Sequence, residues 1–409
     1  MIRQLFFVLE IVAVLGTVAS TGYFVICLFG AARFLGERKA AGGGARPTPS
    51  SLPPVSILKP LKGTDPEMYE SFRSHCLQDY PEYEIIFGVS DADDPAIAFV
   101  QRLQAEFPLI PIRLLLCLTN LGANTKVSNL AQMVTEAKYE HMVVDDSDIR
   151  VEADYLRSVA APLLDPKIGL VTCLYRGVAS TSLGSRLESL FISTDFSAGV
   201  LVARLLEGGI HFGLGSTLAF RRSDLSATGG FETLADYLAD DYEIGRRIAA
   251  QGLKIELSGT VVETFLPRYD LKQFLDHQLR WARTIRDSRP GGYAGLVATF
   301  GLPWALLALV FARGAEWAWV LLGVVIVLRC AVALVVGRTV LQDRQVTKWL
   351  TLVPVRDFAA ALVWLIGFWG HAVKWRGDSF ALKDGKLMRI RPSLHSAAGD
   401  GSSSKRPSE

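Results

Sequence analysis

A long uncharged stretch near the N-terminus constrains this chain more than any other feature, because it is long enough to cross a lipid bilayer. From Ile11 to Ala32 no side chain is charged, and about 20 apolar residues span the hydrocarbon core of a membrane. A signal peptide is the alternative, but its apolar region usually covers only about 7 to 15 residues before a small-residue cleavage site. We therefore predict an uncleaved transmembrane anchor over residues 1–34.

Apolar segments return in the C-terminal part of the chain. Ala294–Ala312 and Trp317–Gly337 are each long enough for a membrane span. A third segment, Trp349–His371, contains Arg356 and Asp357, which are costly in a bilayer unless they are paired or lie near an interface. We predict two spans and leave the third segment as either a span or an interfacial hairpin.

Charge and cysteine content narrow the class of protein further. There are 43 Lys and Arg residues against 41 Asp and Glu residues, which argues against nucleic acid as a partner. The five cysteines are scattered and odd in number, so a reducing compartment fits them better than a disulfide framework. Arg33, Arg38, Lys39 and Arg46 follow the anchor and only Arg3 precedes it. Positive charge concentrates on the cytoplasmic side, so the next segment is expected to face the cytoplasm.

The central part of the chain has the pattern of an α/β domain. We predict a linker at 35–54, a cytoplasmic domain at 55–289, membrane or interfacial helices at 290–375 and a basic, then disordered tail at 376–409. Apolar runs alternate with helical stretches in the domain, which indicates a mostly parallel sheet flanked by helices. The runs are Val55–Leu58, Glu84–Val89, Ile112–Cys117, His141–Val144 and Gly169–Tyr175.

Two of these runs end in acidic clusters, where a parallel sheet binds its ligands. Asp91 follows the second run and is a candidate for binding a nucleotide. Asp93 and Asp94 are either further binding residues or turn and cap residues. Asp146 and Asp148 follow the fourth run with the spacing by which one turn presents oxygen ligands to Mg²⁺ or Mn²⁺. A solvated acidic turn is the alternative for this second cluster.

Two later helices carry further candidates. Asp241 lies at the start of one helix, where an acidic residue serves either as a cap or as a catalytic group. His277, Arg280 and Trp281 share one face of the other helix, suited to a diphosphate and a sugar or lipid, although a snorkelling interfacial helix shows the same pattern. Lys126 is interpreted as a solvated surface residue rather than a phosphate ligand.

Taken together, these segments resemble the ceramide glucosyltransferases, and within them a bacterial branch associated with hopanoid lipids. The resemblance runs from the anchor to about Leu387, with five motifs in the right order. They are Val55–Gly63, Ser90–Ile97, Asp145–Arg150, Ala239–Tyr242 and His277–Trp281. This resemblance implies a nucleotide-sugar transferase domain of the GT-A fold with transmembrane helices at both ends.

The resemblance also implies roles for single residues. The implied roles are nucleotide binding for Asp91, metal binding for Asp146 with Asp148 beside it, catalytic base for Asp241, and diphosphate binding for Arg280 and Trp281. His277 stands where the family has Gln or Arg, and Asp195 stands where ceramide-using relatives have His.

The activity that follows is transfer of a hexose, glucose or N-acetylglucosamine, from a UDP-sugar to a hydroxyl group of a membrane lipid. Inversion at the anomeric carbon would give a β-glycolipid, with Mg²⁺ or Mn²⁺ as cofactor. The lipid is a hopanoid or a ceramide, with hopanoid slightly favoured. The alternatives are a processive polysaccharide synthase and a non-catalytic membrane protein that binds a nucleotide or a lipid.

Overall fold

A computed structural model describes residues 2–42, 52–375 and 378–389. The middle of the predicted linker and the predicted disordered end, Ser396–Glu409, lie outside these ranges. The predicted fold class is confirmed: an α/β domain follows an N-terminal helix and precedes a set of apolar helices.

An eight-stranded mixed sheet forms the centre of the domain, in the order β3-β2-β1-β4-β7-β6-β8-β5. Strands β1 to β4 run parallel, and β7 is antiparallel to both of its neighbours. The strands are β1 Val55–Pro60, β2 Tyr83–Val89, β3 Ile112–Leu116, β4 His141–Val144, β5 Ile149–Arg150, β6 Ile168–Val178, β7 Leu218–Arg221 and β8 Lys254–Phe265.

Helices cover both faces of this sheet, which explains why the central strands are continuous apolar runs. Neighbouring residues of β1 point to opposite faces, so Ile57 and Leu58 belong to two different apolar clusters. The helices are α1 Ile2–Gly42, α2 Met68–Cys76, α3 Ala96–Glu106, α4 Thr125–Glu136, α5 Tyr155–Ala160, α6 Leu183–Phe191, α7 Ser197–Leu206, α8 Arg222–Ala227, α9 Asp240–Ala250, α10 Leu271–Ser288, α11 Pro290–Gly295, α12 Gly301–Phe311, α13 Glu316–Val332, α14 Arg344–Lys348 and α15 Val353–Gly367.

Among the described residues, four helical segments are long and apolar enough to cross a membrane, judged by length and composition. They are Arg3–Ala40, Leu183–Leu206, Glu316–Val340 and Leu350–Gly367. A pair bent by 55°, Pro290–Thr299 with Gly301–Phe311, would add a fifth. Helix α1 continues to Gly42, beyond the predicted end of the anchor at residue 34.

The segment Leu183–Leu206 was not expected as a long apolar helix, and we call it the bridging helix. It contains α6, a π-helical turn at Ile192–Phe196 and α7. Its Ser189 hydroxyl donates to the carbonyl of Gly177 in β6, and its Arg204 pairs with Glu37 of α1. The bridging helix therefore lies between the sheet and the apolar helices.

A buried ion cluster joins the bridging helix to two of the apolar helices. The guanidinium of Arg329 in α13 donates to both carboxylate oxygens of Asp357 in α15, at 2.7 to 3.0 Å. It also reaches the carboxylate of Asp195 at 3.1 Å and the hydroxyl of Thr194 at 3.2 Å, both on the bridging helix. Asp357 thus has the partner that we predicted it to need. Arg356, also buried, donates instead to the amide oxygen of Gln278 at 3.2 Å and makes no ion pair within the described residues.

A small second sheet occupies the end of the range that we predicted as membrane or interfacial helices and the start of the predicted basic tail. Its strands are β9 Ala372–Trp375, β10 Asp378–Lys383 and β11 Lys386–Arg389. The Leu387 amide donates to the carbonyl of Asp236 at 2.7 Å, and the Leu238 amide donates to that of Gly385 at 3.1 Å. The sheet therefore holds the segment that leads directly into α9.

Replacing Arg329 by Met should lower the free energy of unfolding by about 3 to 5 kcal/mol, because Asp357 is left buried without its cation. Arg313→Met, at an exposed arginine between α12 and α13, is the matched control and should change little. Thermal unfolding of the full chain in detergent measures both variants. Equal midpoints for the two variants would contradict this role for Arg329.

Candidate active site

The acidic loop after β4 contains one buried aspartate and two aspartates that face the site. Asp145 is fully buried and accepts hydrogen bonds from Tyr155 at 2.6 Å and His75 at 3.0 Å. The ammonium of buried Lys59 donates to the carbonyl of Asp146 at 3.0 Å. These contacts fix the loop from below, so that the Asp146 side chain is 42% exposed on the open side.

Asp148, the second predicted metal ligand, is held by a contact with strand β8. The hydroxyl of Thr264 in β8 donates to its carboxylate at 2.5 Å. Burial and the neighbouring charge of Asp146 raise the pKa of Asp148 to about 6. The two carboxylates therefore repel each other, as expected of a site whose occupant carries positive charge.

The prediction for Lys126 was wrong, because this lysine lies at the centre of the acidic site. Its ammonium is 2.8 Å from Asp146 and 3.4 Å from Asp240. Burial disfavours the charged form, but the surrounding carboxylates outweigh it and raise the pKa of Lys126 above its ordinary value. Asn124 caps α4 through the amide of Val127 and fixes the helix start that carries Lys126, but this local signal does not show which residues surround the lysine.

Asp241 faces Asp146 across a glycine. A β-carbon at Gly215 would lie 3.1 Å from one Asp241 oxygen and 3.7 Å from an Asp146 oxygen. The two carboxylates thus approach the same point, which a side chain at Gly215 would crowd. Burial and the charge of Asp240 raise the pKa of Asp241 to about 6. Sequence reasoning missed Gly215, since only the folded loop brings it beneath α9.

The predicted face of α10 meets the bridging helix. Nδ1 of His277 lies 2.9 Å from the buried carboxylate of Glu188, and the His277 ring stacks on Tyr269. The ring of Trp281 packs edge-on against Phe191 and Phe196, each at 5.4 Å between centroids. Arg280 is half-buried on the same helix. Binding of substrate by His277, Arg280 and Trp281 stays a prediction.

Asp91 lies at the same edge of the sheet as the acidic loop. Strands β2 and β4 both pair in parallel with β1, so their carboxyl ends are about 10 Å apart. Asp91 is exposed and accepts a hydrogen bond from the amide of Asp93. Asp94 instead accepts from the amides of Gly63 and Ala96, so it is a structural cap at the start of α3.

The site offers only part of a metal coordination shell. Within the described residues, no group of three His, Cys, Asp or Glu side chains is arranged to hold a metal ion. Asp146 and Asp148 present two hard carboxylates, whereas Mg²⁺ takes about six oxygen ligands, several of them from water or phosphates. The two residues fit a divalent ion whose other ligands come from a substrate diphosphate.

Comparison with known protein families identifies the family of this chain. A family model described as glycosyl transferase family 21 matches residues 12–388. The chain belongs to this family. Because the matched range includes the sheet and the apolar helices on both sides of it, the membership covers nearly the whole chain.

Relatives of this family 21 chain include ceramide glucosyltransferases, as the sequence resemblance implied. Ceramide glucosyltransferase 3 from Caenorhabditis elegans is 28% identical over 235 residues, which cover 57% of this chain and 51% of the relative. Ceramide glucosyltransferase from Komagataella phaffii is 38% identical over 120 residues, which cover 28% and 24%. The chain thus spans about half the length of the C. elegans relative.

A solved structure supports the fold. The mannosyltransferase PcManGT from Pyrobaculum calidifontis, in complex with GDP-Man and Mn²⁺, superposes with a TM-score of 0.50 at 20% identity. The match covers 88% of this chain and 99% of that protein. It confirms the GT-A fold predicted for the domain.

Lys126→Met should destabilise the protein in a pH-dependent way. The charge of Lys126 lowers the pKa of Asp241, so without the ammonium this pKa rises further above its unfolded value. The folded state then keeps its stability at low pH and loses it as pH rises. We expect a loss of about 2 kcal/mol at pH 8, less than for a fully buried pair because Asp146 is partly exposed. At pH 5 the loss should be small. Thermal midpoints across this range measure it.

Lys138→Met is the control, since Lys138 is 66% exposed and its ion pair with Glu82 is long, at 3.7 Å. Its effect should stay within about 0.5 kcal/mol at both pH values. A pH-independent loss in Lys126→Met would show that packing, rather than charge balance, is what this lysine contributes.

Proposed function

We propose that this protein transfers a hexose, glucose or N-acetylglucosamine, from a UDP-sugar to a hydroxyl group of a membrane lipid with inversion of the anomeric carbon. The observation that carries the proposal is the approach of Asp241 and Asp146 above Gly215, with Lys126 beside them. One carboxylate of this pair is suited to proton abstraction, and the other to the charge of a diphosphate.

Asp241 is our candidate for the catalytic base. A lipid hydroxyl is a weak nucleophile at neutral pH, so a carboxylate must take its proton as it attacks. With a pKa near 6, Asp241 is ionised at pH 7 yet more basic than an ordinary aspartate. The hydroxyl oxygen bonds to the anomeric carbon, the proton passes to Asp241, and the bond to the diphosphate breaks with its electron pair on UDP.

The leaving diphosphate gains negative charge, which cations in the site would stabilise. Lys126 is the cation that the structure brings to this point, and Arg280 on α10 is the second candidate. Asp146 and Asp148 would hold a divalent ion. Such an ion, when bound, would supply Lewis-acid stabilisation of the diphosphate oxygens.

A lipid acceptor is supported by what packs beneath the site. Tyr175 of β6 contacts Phe196 at 5.3 Å between ring centroids, and Phe196 contacts Trp281. These aromatic rings lead from the sheet to the bridging helix, which itself packs on the apolar helices. We propose that the acceptor hydroxyl reaches Asp241 from this side, with the domain facing the cytoplasm. Hopanoid and ceramide remain the two acceptor classes.

Asp241→Asn should slow glycolipid formation by about 10²- to 10⁴-fold while the affinity for donor is retained, because Asn keeps the shape and loses the basicity. The assay uses the full chain in detergent with UDP-glucose or UDP-N-acetylglucosamine and either a ceramide or a polyhydroxylated hopanoid, with products identified by mass spectrometry. A polymeric product would favour the polysaccharide synthase, and no transfer to any acceptor would favour a non-catalytic protein.

Asp240→Asn is the matched control at the neighbouring position. The charge of Asp240 helps to raise the pKa of Asp241, so its removal should lower that pKa. In the wild type, kcat/KM should fall about tenfold per pH unit below pH 6, where the base is protonated. In Asp240→Asn this acidic limb should move to lower pH. A greater loss of turnover in Asp240→Asn than in Asp241→Asn would reassign the base.

Chelation should abolish transfer, and Mg²⁺ or Mn²⁺ should restore it. The thermal midpoint is an independent measurement. Mn²⁺ should raise it more at pH 8 than at pH 5, because at low pH protons compete with the ion for the Asp148 carboxylate. Asp148→Asn should remove this shift, while Asp154→Asn, at an exposed carboxylate, should keep it. Full activity in excess chelator would eliminate the metal from the mechanism.

A further inference from the structure

A polar cleft that shares no lining residue with the acidic site lies near the carboxyl ends of β6 and β8. Its volume is about 490 Å³. Residues of β6, of β8, of the last turn of the helix Glu316–Val340 and of the segment after it line the cleft. The charged members of the lining are Arg176, Glu263, Arg338, Asp343 and Arg344.

Three of these charges are already bound within the protein. Arg176 pairs with Glu263 at 2.8 Å and donates to the carbonyl of Leu341 at 2.9 Å. The carboxylate of Asp343 is buried, and it accepts a hydrogen bond from the hydroxyl of Ser193 at 2.8 Å. These contacts fix the walls of the cleft.

The other two arginines differ from Arg176. Arg338 and Arg344 are exposed. Neither guanidinium group makes a hydrogen bond or an ion pair with any residue in the described ranges. Three guanidinium groups against two carboxylates leave the lining with one net positive charge. A single phosphodiester anion would balance it, and guanidinium is the side-chain group best matched to phosphate oxygens.

The position of the cleft indicates which phosphate it meets. It lies on the connection between two candidate membrane spans, after Val340 and before Leu350. Gln342 in this connection has a φ of 56°, a left-handed conformation that side chains rarely adopt. Arg38, near the end of α1, donates to the carbonyl of Val340 at 3.0 Å. Two candidate spans thus end together beside the cleft, and phospholipid head groups would lie at this level when both segments cross a bilayer.

We propose that this cleft binds the phosphate of an anionic phospholipid, held by Arg338 and Arg344. The inference does not depend on the proposed glycosyl transfer, because the cleft and its arginines are separate from the acidic site. Bound lipid would fix the connection between the two spans and, through Arg176 and Ser193, the sheet edge and the bridging helix.

Native mass spectrometry of the full chain in detergent, titrated with phosphatidylglycerol or phosphatidylcholine, tests the proposal. Both lipids carry a phosphodiester, but choline cancels its charge. We expect phosphatidylglycerol to bind at least about fivefold more tightly, and the double variant Arg338→Gln/Arg344→Gln to lose about tenfold or more of that affinity. Lys348→Gln is the matched control, because it removes an exposed charge from the same connection outside the cleft.

Each alternative outcome has a distinct result. Equal binding of the two lipids, or equal losses in the double variant and in Lys348→Gln, would reduce the effect to general interfacial charge and overturn the proposal. Displacement of phosphatidylglycerol by millimolar inorganic phosphate would identify a free-anion site instead. Because binding is read directly by mass, a failure here leaves the transfer assay unaffected, and the reverse also holds.

Discussion

The balance between one lysine and the carboxylates around it is the constraint on which the site depends. Lys126 contacts Asp146 and Asp240, while Asp241 approaches Asp146 from the other side of Gly215. Three separate segments must converge to bring these groups together, and their mutual repulsion would oppose that convergence. The single ammonium of Lys126 offsets part of this repulsion, and the carboxylates together keep a net negative charge. The remaining negative charge is what favours a cation in the proposed reaction.

A second charge cluster lies where the apolar helices meet the bridging helix. Arg329 binds Asp357 and Asp195, which joins two apolar helices to the bridging helix. A buried pair of this kind adds little net stability compared with apolar packing, but it is costly to break and therefore fixes how the helices meet. The bridging helix contacts this cluster and, through Phe196, the rings beside the acidic site. The α/β domain and the apolar helices are thus positioned by the same element.

Much of the candidate site could be predicted from short segments, because the acidic loops directly follow strands. Asp146 and Asp148 were identified this way, and the structure places both at the end of β4 beside Lys126 or Thr264. Lys126 was misassigned because a lone lysine in a helix has no local signal of burial; the carboxylates around it come from distant segments. His277 shares a helical face with Trp281 as predicted, yet its partner Glu188 lies 89 residues away in the chain.

The sequence by itself determined the α/β class, five of the eight strands of the main sheet, the apolar segments at both ends, the acidic loops and the family resemblance. These features are local, since they follow from hydrophobic periodicity and from motifs of a few residues. Only the tertiary structure decided which carboxylates meet across Gly215, which cation accompanies them and how Arg329 is neutralised. Charge interactions depend on distance in space, and residues far apart in the sequence become neighbours only when the sheet and its helices have packed.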